Sequence, residues 1–300
     1  MQAFIRFSFI QLFLLLFVLA SEAQVKYDSE KFADAAKMHR RMVETNVQDI
    51  LRYDVKKVQI IECIAEITLS EELSNSSFPD INDFETHYKT KYPKLYKHTG
   101  EGYFENVLDV VYNRLNRLFF ENGIKVTDKE QVITNKFFIE EQLIPSEDKK
   151  YTGSALSNYY DGDKPILSTS GMLPLPKNLS FDDNEAFQYQ MAAIANDNEA
   201  QAALHVTLKI GVDEAGNPVI EEYKVTMDTW LSAFKRGSKT IYKWKVFNSP
   251  LFSLEKPVAG VGNHTNPDGT SIDLDAFDTE LLNMIDNITE MFSYSFSEDM

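Results

Sequence analysis

From Leu204 to Asp228 the chain alternates apolar and polar residues with period two on both sides of a turn, which commits this stretch to a β-hairpin. Leu204, Val206, Leu208, Ile210 and Val212 alternate with His205, Thr207, Lys209 and Asp213. Glu214-Ala215-Gly216-Asn217-Pro218 reads as the turn, and Val219, Tyr223, Val225 and Met227 then alternate with Glu222, Lys224, Thr226 and Asp228. A hairpin with one apolar face is marginal in water alone, so it demands a larger sheet and a covering layer. The pattern predicts one wet face, with His205 solvated on it.

Two further strands extend the sheet. Val58, Ile60, Ile61, Cys63, Ala65, Ile67 and Leu69, set against Glu62, Glu66 and Thr68, predict a strand over 58–69 with Cys63 on its apolar face. Thr240 to Phe247 predicts a third late strand, with Tyr242, Trp244 and Val246 on one side.

Helical spacing marks the cover. Phe104, Val107, Leu108, Val111, Leu115, Leu118 and Phe119 form an apolar stripe closed by Asn122-Gly123. Ile124 to Thr127 follows as a short strand, and Thr127 with Glu130 fits a capping box opening a helix through about Glu141. A first helix is predicted over 30–51, with Ser29 as N-cap and Phe32, Ala36, Val43, Val47 and Ile50 inward. Another is predicted over 184–196, with Phe187, Met191, Ile194 and Ala195 inward. Leu274, Phe277, Leu281, Ile285, Ile288 and Phe292 predict a C-terminal helix that docks on its own sheet. Residues 71–100 read as a polar excursion with a short helix, and 145–182, with Gly153, Gly162, Gly171, Pro165, Pro174 and Pro176, as a long irregular insert.

This order gives a mixed α/β class (α+β), with a single mixed sheet. An early strand-helix-strand unit is parallel, the late hairpin and third strand are antiparallel, and helices pack on them. One domain spans 24–300.

The phrase Asn122-Gly123-Ile124-Lys125-Val126-Thr127-Asp128-Lys129-Glu130-Gln131-Val132 ends a helix, makes a short strand and opens another helix. Ala202-Ala203-Leu204-His205-Val206-Thr207-Leu208 later leads into the hairpin, and Ile241-Tyr242-Lys243-Trp244-Lys245 follows it. Over roughly residues 55–250 this plan resembles the small α/β domain of Gram-negative envelope proteins. That group includes the curli-secretion lipoprotein, the lipoprotein activators of penicillin-binding proteins and the N-terminal domain of the Tol-system propeller protein. The chain departs from it in lacking a lipobox cysteine, in the 145–182 insert and in its terminal helices. The resemblance implies an envelope role with another protein as partner.

The N-terminus agrees with export. Arg6 precedes an apolar run from Phe7 to Ala20, and Ser21-Glu22-Ala23 places small residues at the cleavage site, so residues 1–23 are expected to be a signal peptide. The residue after Ala23 is Gln24 and not a cysteine, so no lipid anchor is expected. Cys63 is the only cysteine, which excludes an internal disulfide and reads as a buried, inert thiol. The expected location is periplasmic or secreted, with no transmembrane segment after cleavage. The 46 acidic against 30 basic residues leave a formal charge of −16, which argues against nucleic acid and anionic membrane surfaces.

No catalytic constellation emerges, and the catalytic residues are unknown at this level. His39, His87, His98, His205 and His264 lack metal-binding spacing, and no nucleophile elbow or phosphate loop occurs. Ser154 and Ser170 have no base in sequence reach. Asp268, Asp273 and Asp275 fail the calcium-loop pattern, and Asp273 reads as a helix cap. No metal and no cofactor are expected. The most site-like group is Tyr151, Tyr159, Tyr160, Asp161 and Asp163, whose aromatic faces suit a partner protein or a sugar. The competing expectation is that the tyrosines pack on their own domain. The leading expectation is an exported soluble envelope protein with a non-enzymatic binding or assembly role, with oligomers possible. The alternatives are an exported hydrolase with a carboxylate-based site and a small-ligand carrier with an apolar pocket under the sheet.

Overall fold

A computed structural model describes residues 25–42, 44–45, 55–69, 78, 80–100, 102–135, 149–151, 156, 159–161, 164–172, 174, 197–212, 218–235, 238–248, 252–254, 259–265, 271–272 and 274–294. The signal segment expected at 1–23, Asp163, Asp273, the turn expected at 213–217 and the helix expected at 184–196 lie outside the described residues. In chain order the strands are β1 (Val25–Lys26), β2 (Glu44–Thr45), β3 (Lys57–Leu69), β4 (Lys125–Val126), β5 (Lys149–Tyr151), β6 (Tyr159–Asp161) and β7 (Lys164–Ser168). They continue as β8 (Ala202–Val212), β9 (Pro218–Lys235), β10 (Ser238–Asn248), β11 (Phe252–Leu254), β12 (Ala259–Thr265) and β13 (Ser271–Ile272). The helices are α1 (Ser29–Phe32), α2 (Ala35–Met42), α3 (Ile81–Lys91), α4 (Pro93–Thr99), α5 (Tyr103–Glu121), α6 (Lys129–Ile133) and α7 (Leu274–Ser293).

All the described strands but β12 and β13 join one mixed sheet. Its main order is β1-β11-β9-β8-β3-β7-β6-β5, with β4 beside the start of β3, β10 beside β9, and β2 beside β10. β3 runs parallel to β4 and β8 and antiparallel to β7. The early strand-helix-strand unit is therefore parallel, and β8, β9 and β10 are successively antiparallel.

One face of this sheet carries the main core. Val58, Ile60, Cys63, Ala65 and Ile67 of β3, Leu204, Val206 and Leu208 of β8, and Tyr223, Val225 and Met227 of β9 join Phe104, Leu108, Val111, Leu115 and Phe119 of α5 there. α7 adds Phe277, Leu281, Met284, Ile285, Ile288, Met291 and Phe292, all at most 3% exposed. The stripe spacing of both helices thus becomes their buried face. α7 docks within its own chain, against α1, α2 and α5.

Several local expectations need correction. The first helix does not run from 30 to 51. Asp28, not Ser29, accepts the Lys31 N–H, and Asp34 accepts the Lys37 N–H, so a second cap restarts the helix at Ala35. That helix ends at Met42, and Glu44–Thr45 pairs with β10 instead. Residues 81–99 are two helices. Asp80 accepts from the N–H groups of Asn82 and Asp83, and Ile81, Phe84, Tyr88, Tyr92 and Leu95 form the buried stripe. Thr127 makes no capping box: its hydroxyl donates to the Val58 carbonyl, and α6 ends at Ile133. The described part of the 145–182 insert is not irregular. β5, β6 and β7 form an antiparallel meander that continues the sheet beyond β3.

A register shift bends β9 where Glu222 pairs with Lys209 while Ile220 pairs with Ile210, leaving Glu221 as the extra residue. The Glu221 side chain crosses Gly211, and the Thr68 hydroxyl donates to it at 2.6 Å. A methyl group at position 211 would meet the Glu221 side chain, which would have to give way, so glycine lets that side chain lie close over the strand.

β8 pairing ends at Ala202 opposite Thr229, yet β9 and β10 continue together to Lys235 opposite Ser238. Among the described residues this last part of β9 and β10 is a two-stranded ribbon. On its far side β10 pairs, among the described residues, only at Phe247 and Asn248 with β2.

Candidate functional site

The tyrosine group lies on the meander. Tyr151 stands in register with Tyr159, Lys150 with Tyr160, and Lys149 with Asp161. Tyr159 is buried and packs in a small cluster with Ile64 and Ile166 on the second face of the sheet. Tyr160 and Asp161 pair with Pro165 and Lys164 in the next strand. Within the group the sheet makes ladder partners of Tyr151 and Tyr159 alone among the described residues.

The second face of the hairpin is drier than its alternation suggests. Gln59, Glu62 and His205 are buried, at 0%, 7% and 8% exposure. β3 and β8 are interior strands, so His205 is flanked in register by Glu62 on one side and Thr226 on the other. His205 is therefore not the solvated residue expected from its alternation with apolar neighbours. Farther along, Lys209 donates to Glu222 at 2.5 Å and lies in register with Glu66. Burial opposes the Lys209 charge, but the bond to Glu222 and the acids around it prevail and hold its ammonium above the ordinary lysine range.

Ser170 has acidic neighbours that sequence reading missed. Its hydroxyl donates to Asp109 at 2.6 Å and to Glu105 at 2.9 Å, and its N–H donates to Asp109 at 3.1 Å. The Thr169 hydroxyl also donates to Asp109, and Lys129 Nζ reaches Asp109 at 3.2 Å and the Ser170 carbonyl at 2.8 Å. Lys129 also lies over the Tyr112 ring, 4.2 Å from its centre. Burial pushes the Asp109 carboxyl up, but the Ser170 and Thr169 bonds and the Lys129 charge outweigh it and leave it below the ordinary range. These contacts form a latch that holds the turn after β7 on α5. Cys63 is fully buried, and desolvation pushes its thiol far above the ordinary range, as an inert thiol requires.

At the start of the parallel strands lies an open recess of about 370 Å³. Lys57, Gln131, Thr134, Asn135, Asp197, Asn198 and Glu199 line it, and all are polar. It is unlike the apolar pocket expected of a carrier. Asn135 Nδ2 donates to Asp197 at 2.8 Å and to Asn198 at 3.2 Å, and Lys57 Nζ donates to the Asn198 carbonyl at 2.7 Å. Asn198 Nδ2 donates to Gln59 at 3.0 Å, while Gln59 Nε2, wholly buried, has no partner among the described residues. Gln201 accepts the Lys56 and Lys57 N–H groups and fixes the approach to β8. Glu199 holds φ at 56°, a left-handed conformation that costs a non-glycine residue roughly 1–2 kcal/mol. No motif announces this site, because its halves are over sixty residues apart in the chain.

Among the described residues no group of three His, Cys, Asp or Glu is placed to hold a metal ion, and no helix is long and apolar enough to cross a membrane. The chain matches no protein-family model, no curated protein and no solved structure.

Proposed function

We propose that the protein is exported and acts without catalysis in the cell envelope, taking an extended segment of another protein as an added strand on β10. The observation that carries this reading is the ribbon: β9 and β10 run on together past the end of β8, and the far edge of β10 is paired at Phe247 and Asn248 alone among the described residues. Unpaired strand edges present rows of N–H and C=O groups that bind an extended chain through main-chain hydrogen bonds. The export signal and the resemblance to envelope domains support the setting.

Neighbouring residues in a strand direct their N–H groups to opposite edges, so of Tyr242→Pro and Lys243→Pro one breaks the ladder to β9 and the other strikes only the outer edge. The test is affinity capture from envelope extract with the native chain and both variants, alongside thermal melting. A partner lost in the variant that melts normally is the expected result. Retention of that partner by both variants, or capture of nothing by the native chain, would overturn the proposal.

A further inference from the structure

The recess at the strand starts has an unusual charge arrangement. Lys57, Asp197 and Glu199 line the same space, yet Lys57 forms no ion pair with either acid; its bonded partner is the carbonyl of Asn198, the residue between them. Opposite charges that share a recess without neutralising one another suit a ligand that brings both signs itself. The remaining lining, Gln131, Thr134 and the amides of Asn135 and Asn198, offers both donors and acceptors. Asn135 is buried and ties α6 to the 197–198 turn, and Gln201, just after that turn, accepts the Lys57 N–H of β3. Glu199 is held in a left-handed conformation at the rim, where glycine would be the unstrained choice.

We propose that this recess binds a small zwitterion of the amino-acid type, with its ammonium group on Asp197 and Glu199 and its carboxylate on Lys57 and the Gln131 amide. The volume, at the lower end of small-molecule sites, suits a ligand of that size. The site is separate from the β10 edge, so it stands or falls independently of strand addition.

The test uses the full chain titrated with glycine and with L-glutamine, read by thermal shift and calorimetry, with n-propylamine and propionate as single-charge controls. A saturable rise in melting temperature with a zwitterion, and none with the controls, is expected. Lys57→Met is expected to weaken binding by about tenfold or more, the scale of one hydrogen bond to a charged group. Glu199→Gly separates site from scaffold. It removes a carboxylate and relieves the backbone, so it is expected to raise the melting temperature of the free protein while weakening the zwitterion. No saturable shift with either zwitterion, equal shifts with the controls, or binding undiminished in both variants would overturn the proposal.

Discussion

Replacing Ile288 by alanine probes whether α7 is part of the fold or a detachable interaction surface. Ile288 is 0% exposed and packs in the central core with Ile285 and Phe292. Truncating a buried isoleucine to alanine removes its transfer free energy and leaves a cavity, at a combined cost of about 2–5 kcal/mol. The helix cannot swing away to relieve that cavity easily, since polar ties hold it along its length. Tyr103 donates to Asp278 at 2.6 Å, Arg114 pairs with Asp286 at 2.7 Å, and Asn287 donates to Tyr27 at 2.7 Å. Leu282 on the same helix is 42% exposed and serves as the control, with an expected change within about 0.5 kcal/mol. Urea unfolding followed by circular dichroism measures both. A loss of 2 kcal/mol or more for Ile288→Ala, independent of protein concentration, is expected. Equal effects of the two substitutions, or a loss that vanishes on dilution, would mean that the stripe is buried by a second molecule instead.

The parts of the fold that were legible are those where one period dominates. β3, β8 and β9 show alternation, and α5 and α7 show helical stripes, because each packs a single apolar face on a common core. The α3–α4 pair was hidden for a physical reason. Tyr88 and Tyr92 are fully buried, yet they sit among lysines and threonines, and Pro93 looks like a break when it is the first residue of the next helix. The meander was hidden by its shortness, since three- and five-residue strands carry too few alternations to register, and Pro165 argues against a strand although it pairs with Tyr160. Burial of His205 depends on which strands flank β8, and that is a matter of topology. The tyrosine group was visible because it is contiguous in sequence. The recess was not, because α6 and the 197–199 turn meet only through the order of strands around β3.

Two further outcomes test the interior of the sheet. Gly211→Ala is expected to destabilise by about 1 kcal/mol, because the new methyl group displaces Glu221 from Thr68, and the loss is expected to shrink in the Glu221→Ala background; equal losses in both backgrounds, measured by a urea double-mutant cycle, would show that the close approach is unimportant. The last concerns acid sensitivity at the latch. Asp109 titrates below the ordinary carboxylate range in the folded protein, so the unfolded chain takes up its proton first as pH falls. Its contribution to stability is therefore complete above the ordinary carboxylate pKa and is lost as pH drops through the folded value. Asp109→Asn keeps the shape and removes the titration. Between about pH 5 and pH 3 the native chain is expected to lose stability more steeply than the variant, by at most one proton's worth of slope. Because about a third of the side chain is open to solvent, added salt is expected to narrow the difference. Parallel slopes for the two proteins would show that the Ser170, Thr169 and Lys129 contacts do not favour the ionised form, and that the latch holds by shape alone.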